Sequence, residues 1–156
     1  MLEFLLKNTF LSKEILVVLL SAVPLIELRG AIPLGYALGL PPWHVYALAV
    51  IGSSLPSPFL IAFFQRVLNL LKKEGYFPRF TSFLENHIQK RSKKLRSATL
   101  LGLYLFVAVP LPTTGAYTGS VLASIFNIRL KYSLPAIILG NMTAGIIIMA
   151  LSHTLF

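Results

Sequence analysis

Residues 15–39, ILVVLLSAVPLIELRGAIPLGYALG, form an apolar stretch that polar, proline and glycine residues interrupt in its middle. A continuous transmembrane helix needs roughly 20 apolar residues, and each arm of this stretch is about half that length. Pro24, Gly30, Pro33 and Gly35 all oppose a regular helix. The pattern therefore predicts a broken segment with a half-helix on each side.

The composition around this stretch is that of a membrane protein. Of the 156 residues, 56% are apolar and only 12% are charged, whereas a soluble domain carries about 25% charged residues. This composition predicts one all-α integral membrane domain over residues 1–156, with roughly four to six membrane segments. Cysteine is absent, which excludes disulfides, thiolate metal sites and cysteine nucleophiles.

Further apolar segments extend the pattern along the chain. The first 13 residues resemble a short amphipathic helix at the membrane interface, and Pro41–His44 resembles a surface turn. Pro56 and Pro58 predict a kink in the first long span. Two membrane spans are expected at residues 45–71 and 132–156, and a second broken stretch is expected at residues 98–126.

Between the two halves lies a basic linker, residues 72–97, which holds eight of the fourteen lysines and arginines. Because this charge is confined to one linker, we interpret it as a positive-inside signal and not as a nucleic-acid surface. The linker is expected in the cytoplasm of a multi-pass plasma-membrane protein. It is either an amphipathic helix on anionic lipid or a solvated loop.

An internal repeat relates the two halves, which we delimit as units 1–71 and 72–156. Each unit has a broken stretch followed by one span, and the order of short matches is shared. The matched pairs are Val23-Pro24-Leu25 with Val109-Pro110-Leu111, Gly30-Ala31 with Gly115-Ala116, and Ile51-Gly52-Ser53 with Leu139-Gly140-Asn141.

Two topologies fit this repeat. If each broken stretch is a re-entrant helical hairpin, each unit crosses the membrane once, and the second unit is inverted relative to the first. Inverted repeats with broken helices are a common plan of secondary transporters. If each broken stretch crosses fully, the chain crosses four times and both termini lie inside. Both topologies place the linker in the cytoplasm.

Glu27 and Arg29 are the candidate residues for proton and substrate transport, because they lie in the middle of an apolar stretch. A charge at the bilayer centre costs about 2.5–3.5 kcal/mol, so such residues are functional candidates. Glu27 is the candidate proton carrier, since burial favours a neutral carboxyl group. Arg29 is the candidate contact for an anion. Alternatively, an unwound backbone lets the two side chains neutralise each other.

The second broken stretch supplies hydroxyl groups and no charge. Its hydroxyls and freed backbone groups can bind a polar head group, or they only satisfy their own broken backbone. The candidate substrate-binding residues are Gly30, Pro33, Pro110, Pro112, Thr113, Thr114, Gly115, Tyr117 and Thr118. Ser53, Ser54 and Asn141 either line the same cavity or pack the spans together. The histidines match no metal-ligand spacing, so no metal or cofactor is assigned.

Glu27-Leu28-Arg29-Gly30-Ala31-Ile32-Pro33, together with residues 110–119 (PLPTTGAYTG), resembles the small multidrug export protein family. That family is in turn distantly similar to the DedA/VTT superfamily. The resemblance implies two re-entrant hairpins that enter the membrane from opposite sides. It also implies proton-coupled transport, lipid translocation or both.

These observations favour a secondary transporter, exporter or flippase, proton-coupled, that moves an anionic lipid head group or a small amphipathic molecule. The alternative is a non-transporting membrane organiser whose basic linker binds lipid or a partner. No nucleophilic triad or phosphate-binding loop occurs, so an enzyme is not expected. A homodimer is expected as an assembly, because so few segments enclose little volume.

Overall fold

The computed structural model describes residues 10–73, 75, 78, 82, 93–111 and 114–155. Within these residues the chain is helical and contains no strand, which confirms the all-α prediction. The elements are α1 (Phe10–Ser21), α2 (Glu27–Ala37), α3 (Pro42–Ser54), α4 (Ser57–Lys73), α5 (Lys93–Ala108), α6 (Ala116–Ile125) and α7 (Leu130–Leu155).

Helices α1 and α2 form the first hairpin, which turns at residues 22–26. Lys13 Nζ donates a hydrogen bond to the Leu38 carbonyl at 3.0 Å, so the start of α1 and the end of α2 lie together. Glu14 Oε1 lies 2.6 Å from His44 Nε2 in the first turn of α3. The open end of this hairpin therefore lies beside the start of α3.

The interruption in this hairpin is shorter than the sequence suggests. Helix α2 begins at Glu27 and includes Gly30, Pro33 and Gly35, so the prediction that these residues oppose a regular helix was wrong. Gly35 instead allows α2 to pack closely on α3, which is a common use of small residues in membrane helices, and Gly30 leaves room for the side chain of Ile26 in the preceding turn. A Cβ atom at Gly35 would lie 2.7 Å from Val45 Cγ2, and one at Gly30 would lie 2.6 Å from Ile26 Cγ2.

Helices α5 and α6 form the second hairpin, whose tip spans residues 109–115. Pro112 and Thr113, in this tip, lie outside the described residues, as do the first nine residues and most of the basic linker. Gln65 of α4 donates a hydrogen bond to the Ile128 carbonyl at 2.8 Å, just beyond α6. The open end of the second hairpin thus lies beside α4, whereas the open end of the first hairpin lies beside the start of α3.

Two helical segments are long and apolar enough, by length and composition, to cross a membrane, Pro42–Leu71 and Leu130–Thr154. We call these two segments the long paths. The first contains both α3 and α4, and a turn at Leu55 and Pro56 interrupts it. Pro56 and Pro58 lack the N–H groups that would continue the helical hydrogen bonding, which accounts for the interruption and confirms the predicted kink. Pro42 is the first residue of α3, a position that tolerates proline, so Pro41–His44 is only partly a turn.

The packing joins each hairpin to one long path and then joins the two paths. Helices α1, α2 and α3 contact one another, as do α5, α6 and α7; α7 also packs on α2, α3 and α4, and α6 packs on α4. Each of the two apolar cores includes a contribution from the other half of the chain. Ala144 and Ile148 of α7 join the first core, and Ile61 of α4 joins the second.

The outer surface is apolar, as expected of a protein surrounded by lipid. Many large apolar side chains are exposed, among them Leu19, Phe59, Phe63, Leu105, Leu139 and Leu151. Exposed apolar surface on this scale marks contact with a membrane or another protein. Together with the two long apolar helices, it indicates a membrane protein.

The ends of α2 and α6 have the same geometry, 88 residues apart. Leu40 N donates to the Gly35 carbonyl at 3.1 Å, and Ile128 N donates to the Ala123 carbonyl at 2.8 Å. Gly39 and Asn127, also 88 residues apart, have φ values of 76° and 49°. A left-handed residue with this hydrogen-bond pattern is the Schellman C-cap, and its recurrence sets the alignment of the two hairpins.

Contacts to the first arm of each hairpin recur with a spacing of 86 residues. Gly52 of α3 lies against the backbone of Val18 and the side chain of Ser21, whereas Gly140 of α7 lies against Tyr104 and Val107. Equivalent residues are 86 positions apart in the first arms of the two hairpins and 88 positions apart in the second arms. The tip of the second hairpin is therefore two residues longer than that of the first. This alignment pairs Gly115 with Glu27, whereas the sequence match had paired it with Gly30.

Candidate functional site

The polar site at the hairpin tips begins with an unusual backbone conformation at Glu27. Its φ is 47°, in the left-handed region, which costs a residue with a side chain about 1–2 kcal/mol. Such strain persists only where the surrounding structure enforces it, and it is frequent at functional sites. The strain lies where the chain leaves the turn and enters α2.

Glu27 and Arg29 form an ion pair. Arg29 Nη1 donates to Glu27 Oε2 at 2.5 Å, and the Glu27 side chain is only 7% exposed. Residues two apart on a regular helix do not face each other. The left-handed backbone at Glu27 places its carboxylate outside that regular arrangement. The alternative in which an irregular backbone lets the two charges meet is therefore the arrangement observed.

The second hairpin completes the hydrogen bonding of this pair. Arg29 Nη2 donates to Thr114 Oγ1 at 3.1 Å and lies 3.5 Å from the Val109 carbonyl oxygen. Tyr117 N donates to Glu27 Oε1 at 3.4 Å. These bonds join residues that are 80 to 90 positions apart in the chain. The two hairpin tips therefore meet at the ion pair.

Two further contacts hold the tips in register. The Tyr117 hydroxyl donates to the Ala22 carbonyl, which belongs to the turn of the first hairpin. The Thr114 hydroxyl lies 2.7 Å from the Val109 carbonyl oxygen, to which it can donate while it accepts from Arg29. Thr114 is thus oriented by its own hairpin and presents its oxygen lone pairs to the other one.

Gly115 makes room for the ion pair. A Cβ atom at this position would collide with the Glu27 carboxylate and would lie 2.6 Å from Arg29 Nη1. The close approach of the two tips therefore depends on the absence of a side chain at Gly115.

A cleft of about 710 Å³ opens beside the ion pair. Arg29 is the more accessible partner, with 18% of its side chain exposed against 7% for Glu27. The Arg29 Nε atom is buried and has no hydrogen-bond partner among the described residues. The cleft is lined by Pro24, Leu25, Ile26, Glu27, Arg29, Gly30, Thr114, Tyr117 and Thr118.

Most of the predicted site residues come together here. Glu27, Arg29, Gly30, Thr114, Tyr117 and Thr118 line the cleft, and Gly115 lies against the ion pair. Pro33 lies within α2 and Pro110 follows Val109 in the second tip, and neither lines the cleft. Pro112 and Thr113 are outside the described residues, so their predicted roles stay predictions.

Ser53, Ser54 and Asn141 form a separate polar cluster between the two long paths. Asn141 Nδ2 donates to Ser53 Oγ at 3.2 Å and to Ser54 Oγ at 3.1 Å. Asn141 is buried, and none of the three residues lines the cleft at the tips. Their observed contacts are those of helix packing, the second of the two roles considered for them.

Several groups at the site were not anticipated from the sequence. The carbonyl oxygens of Ala22 and Val109 accept bonds across or within the tips, and Leu25 and Ile26 form an apolar part of the cleft wall. A backbone carbonyl leaves no signal in the residue types. The apolar wall could not be recognised from the sequence, because its residues belong to an otherwise ordinary apolar run.

A protein-family model described as "Putative small multi-drug export protein" matches residues 27–147. The match begins at Glu27, directly after the turn of the first hairpin, and contains the second tip, the Glu27–Arg29 ion pair, the Ser53–Asn141 cluster and most of α7. The chain belongs to this small multi-drug export family. No curated protein and no solved structure matches it. Membership in an export family, together with the two long apolar helices, indicates a membrane exporter.

Proposed function

We propose that the protein is a proton-coupled transporter of the flippase type that moves an anionic amphipathic molecule, such as a lipid with an anionic head group, past the hairpin tips. The observation that carries the proposal is the Glu27–Arg29 ion pair in the wall of the cleft. Its cation is the more exposed partner, which favours an anion over a cation as the bound group.

The coupling follows from competition for Arg29. An ionised Glu27 occupies Nη1 of the guanidinium at 2.5 Å. A proton on Glu27 removes that negative charge, and Arg29 can then offer its planar set of donors to a phosphate or carboxylate. Loss of the proton re-forms the pair and displaces the anion. Proton and anion therefore bind together and favour each other's binding equally, so they move in the same direction.

The membrane arrangement that we propose is the DedA-like inverted repeat, with units 1–71 and 72–156. The first hairpin enters from the side opposite the linker, and the second enters from the linker side. Helices α2 and α6, whose ends both lie within the described residues, have 11 and 10 residues, hence lengths of about 15–17 Å against a hydrocarbon thickness of about 30 Å. Such short arms support re-entrant hairpins that meet near the midplane. The homodimer and the plasma-membrane location stay predictions.

The test is a lipid-translocation assay in proteoliposomes that contain fluorescent phosphatidylglycerol or fluorescent phosphatidylcholine. Leaflet exchange is followed by chemical quenching of the outer leaflet, with and without a pH gradient. We expect phosphatidylglycerol to move toward the less acidic side, and faster than phosphatidylcholine. Glu27→Gln should abolish the effect of the pH gradient, and Arg29→Gln should abolish the preference for the anionic head group.

Glu14→Gln is the matched control, because it makes the same chemical change in the same hairpin but at its open end, beside His44. It should leave the effect of the pH gradient intact. Equal pH-gradient responses of the original protein and Glu27→Gln would refute the proposal. Loss of activity only when Lys90, Arg91, Lys93 and Lys94 are neutralised would instead support the membrane-organiser reading.

A further inference from the structure

A second cleft, of about 410 Å³, lies between α5 and α6 at the open end of the second hairpin, away from the tips. Its walls are almost entirely apolar, and they include Gly102, Leu103 and Phe106 of α5 and Leu122 of α6. Phe126 and Ile128, which follow α6, complete it. None of these residues belongs to the site at the tips.

In the first hairpin a lysine lies at the corresponding place between the arms, and the repeat allows the two hairpins to be compared. With the spacing of 86 residues between α1 and α5, Thr99 and Gly102 correspond to Lys13 and Leu16. Lys13 reaches the Leu38 carbonyl at 3.0 Å, so its side chain spans the gap between the two arms. In the second hairpin, the shorter residues Thr99 and Gly102 leave the equivalent gap open.

Gly102 shows how open this position is. A Cβ atom added there would meet no atom within 4 Å. The glycines at helix contacts behave differently, since a Cβ atom at Gly140 would lie 2.7 Å from Val107 Cβ. Close helix packing therefore does not account for the glycine at position 102, whereas room for a bound group does.

Two exposed basic residues lie close in sequence to the mouth of the cleft. Arg129 directly follows the cleft residue Ile128, and Lys131 lies in the next turn; both are exposed. Helix α5 begins with the sequence Lys93-Lys94-Leu95-Arg96 shortly before the cleft. From residue 93 to the end of the chain there is no aspartate or glutamate. An acyl chain in the cleft would thus have the basic residues Arg129 and Lys131 near its head group.

We propose that this cleft binds an acyl chain of an anionic phospholipid whose phosphate lies at Arg129 and Lys131. The apolar walls favour burial of the chain, and the basic rim attracts an anionic head group at the membrane surface. In the second hairpin the bound lipid fills the gap that corresponds to the one closed by Lys13 in the first hairpin. It thereby stabilises the packing of α5 against α6. This lipid is distinct from the molecule transported at the tips.

The experiment uses the purified full-length protein in detergent with equal amounts of phosphatidylglycerol and phosphatidylcholine, and native mass spectrometry measures the retained lipid. We expect retention of phosphatidylglycerol in preference to phosphatidylcholine. Gly102→Leu, which places in α5 the side chain found at Leu16, should lose the retained lipid. Gly102→Ala should keep it, which separates filling of the cleft from a general effect on helix stability.

The charge is tested by Arg129→Gln combined with Lys131→Gln, two exposed positions. This variant should retain lipid but lose the preference for phosphatidylglycerol. Ala62→Leu adds similar bulk at an exposed position of α4 and should change nothing. Retention of phosphatidylglycerol by Gly102→Leu at the original level would overturn the proposal, and so would an unchanged preference in the double variant.

Glu27→Gln separates this site from the proposed transport site. The cleft lies at the open end of the hairpin, so Glu27→Gln should retain phosphatidylglycerol normally even if it has lost pH-dependent transport. Loss of the retained lipid in Glu27→Gln would identify that lipid as the transported molecule and would contradict a separate site.

Discussion

At the scale of single residues, Gly115 and Glu27 define the site together. The carboxylate of Glu27 is buried against the backbone of Gly115, in the volume that a side chain at 115 would occupy. A buried ion pair contributes less to stability than its short distance suggests, because both charges lose their hydration. Stability alone therefore does not account for its geometry, which suits the opening and closing of the pair in the proposed transport.

Gly115→Ala should lower the free energy of unfolding by about 1–3 kcal/mol, the usual cost of overpacking. The added Cβ atom collides with the Glu27 carboxylate, so removal of that carboxylate should relieve part of the strain. Thermal unfolding in detergent of Gly115→Ala, Glu27→Ala and the double variant measures this coupling. Strictly additive effects would contradict the contact, since residues in contact are expected to be non-additive.

At the scale of elements, each long path contains a glycine that packs against the first arm of its hairpin. Gly52 brings α3 against Val18 and Ser21 of α1, and Gly140 brings α7 against Tyr104 and Val107 of α5. Small residues let membrane helices approach closely enough for dispersion and weak hydrogen bonds to hold them. The two glycines thus carry out the same packing role in the two halves of the chain.

Gly52→Ala and Gly140→Ala should each lower the free energy of unfolding by about 1–3 kcal/mol, because the new Cβ atom forces the hairpin away from the path. Such an atom would lie 2.6 Å from the Val18 carbonyl oxygen or 3.0 Å from the Tyr104 carbonyl oxygen. Thermal unfolding measures the effect. Gly102→Ala is the comparison, since its Cβ atom meets no neighbour within 4 Å and its stability should not fall.

At the scale of the whole molecule, two pairs of equivalent positions touch each other. Ser53 and Asn141 are 88 residues apart and are hydrogen-bonded, and Glu27 and Gly115, with the same spacing, are in contact. Equivalent positions of two units can meet only near the axis that relates them. Such an axis would run through both polar clusters, which is compatible with the proposed inverted repeat.

Single cysteines on this cysteine-free chain would test the topology. We expect Trp43→Cys and Thr154→Cys to react with an impermeant thiol reagent from outside intact cells, whereas Lys131→Cys reacts only from the cytoplasm. All three positions are exposed. Labelling of position 131 from outside and of position 154 from inside would instead establish four full crossings and would rule out re-entrant hairpins.

The sequence alone predicted the membrane class and the two interruptions, and it singled out Glu27 and Arg29, the two charged residues that meet at the hairpin tips. These features depend on local properties: apolar content follows from composition, and proline and polar residues disturb a helix wherever they occur. The extent of the first interruption could not be predicted, because Gly30, Pro33 and Gly35 are also compatible with a helix, and the close contact of Gly35 with Val45 exists only in the folded chain.

Only the tertiary structure decided which residues meet. The partners of Arg29 in the second hairpin lie 80 and 85 positions away, and one of them is a backbone carbonyl that residue types cannot reveal. The pairing of Glu27 with Gly115 likewise depended on the longer second tip. The difference between the closed gap at Lys13 and the open cleft at Gly102 also emerged only from packing, because a missing side chain creates a space only where its neighbours surround it.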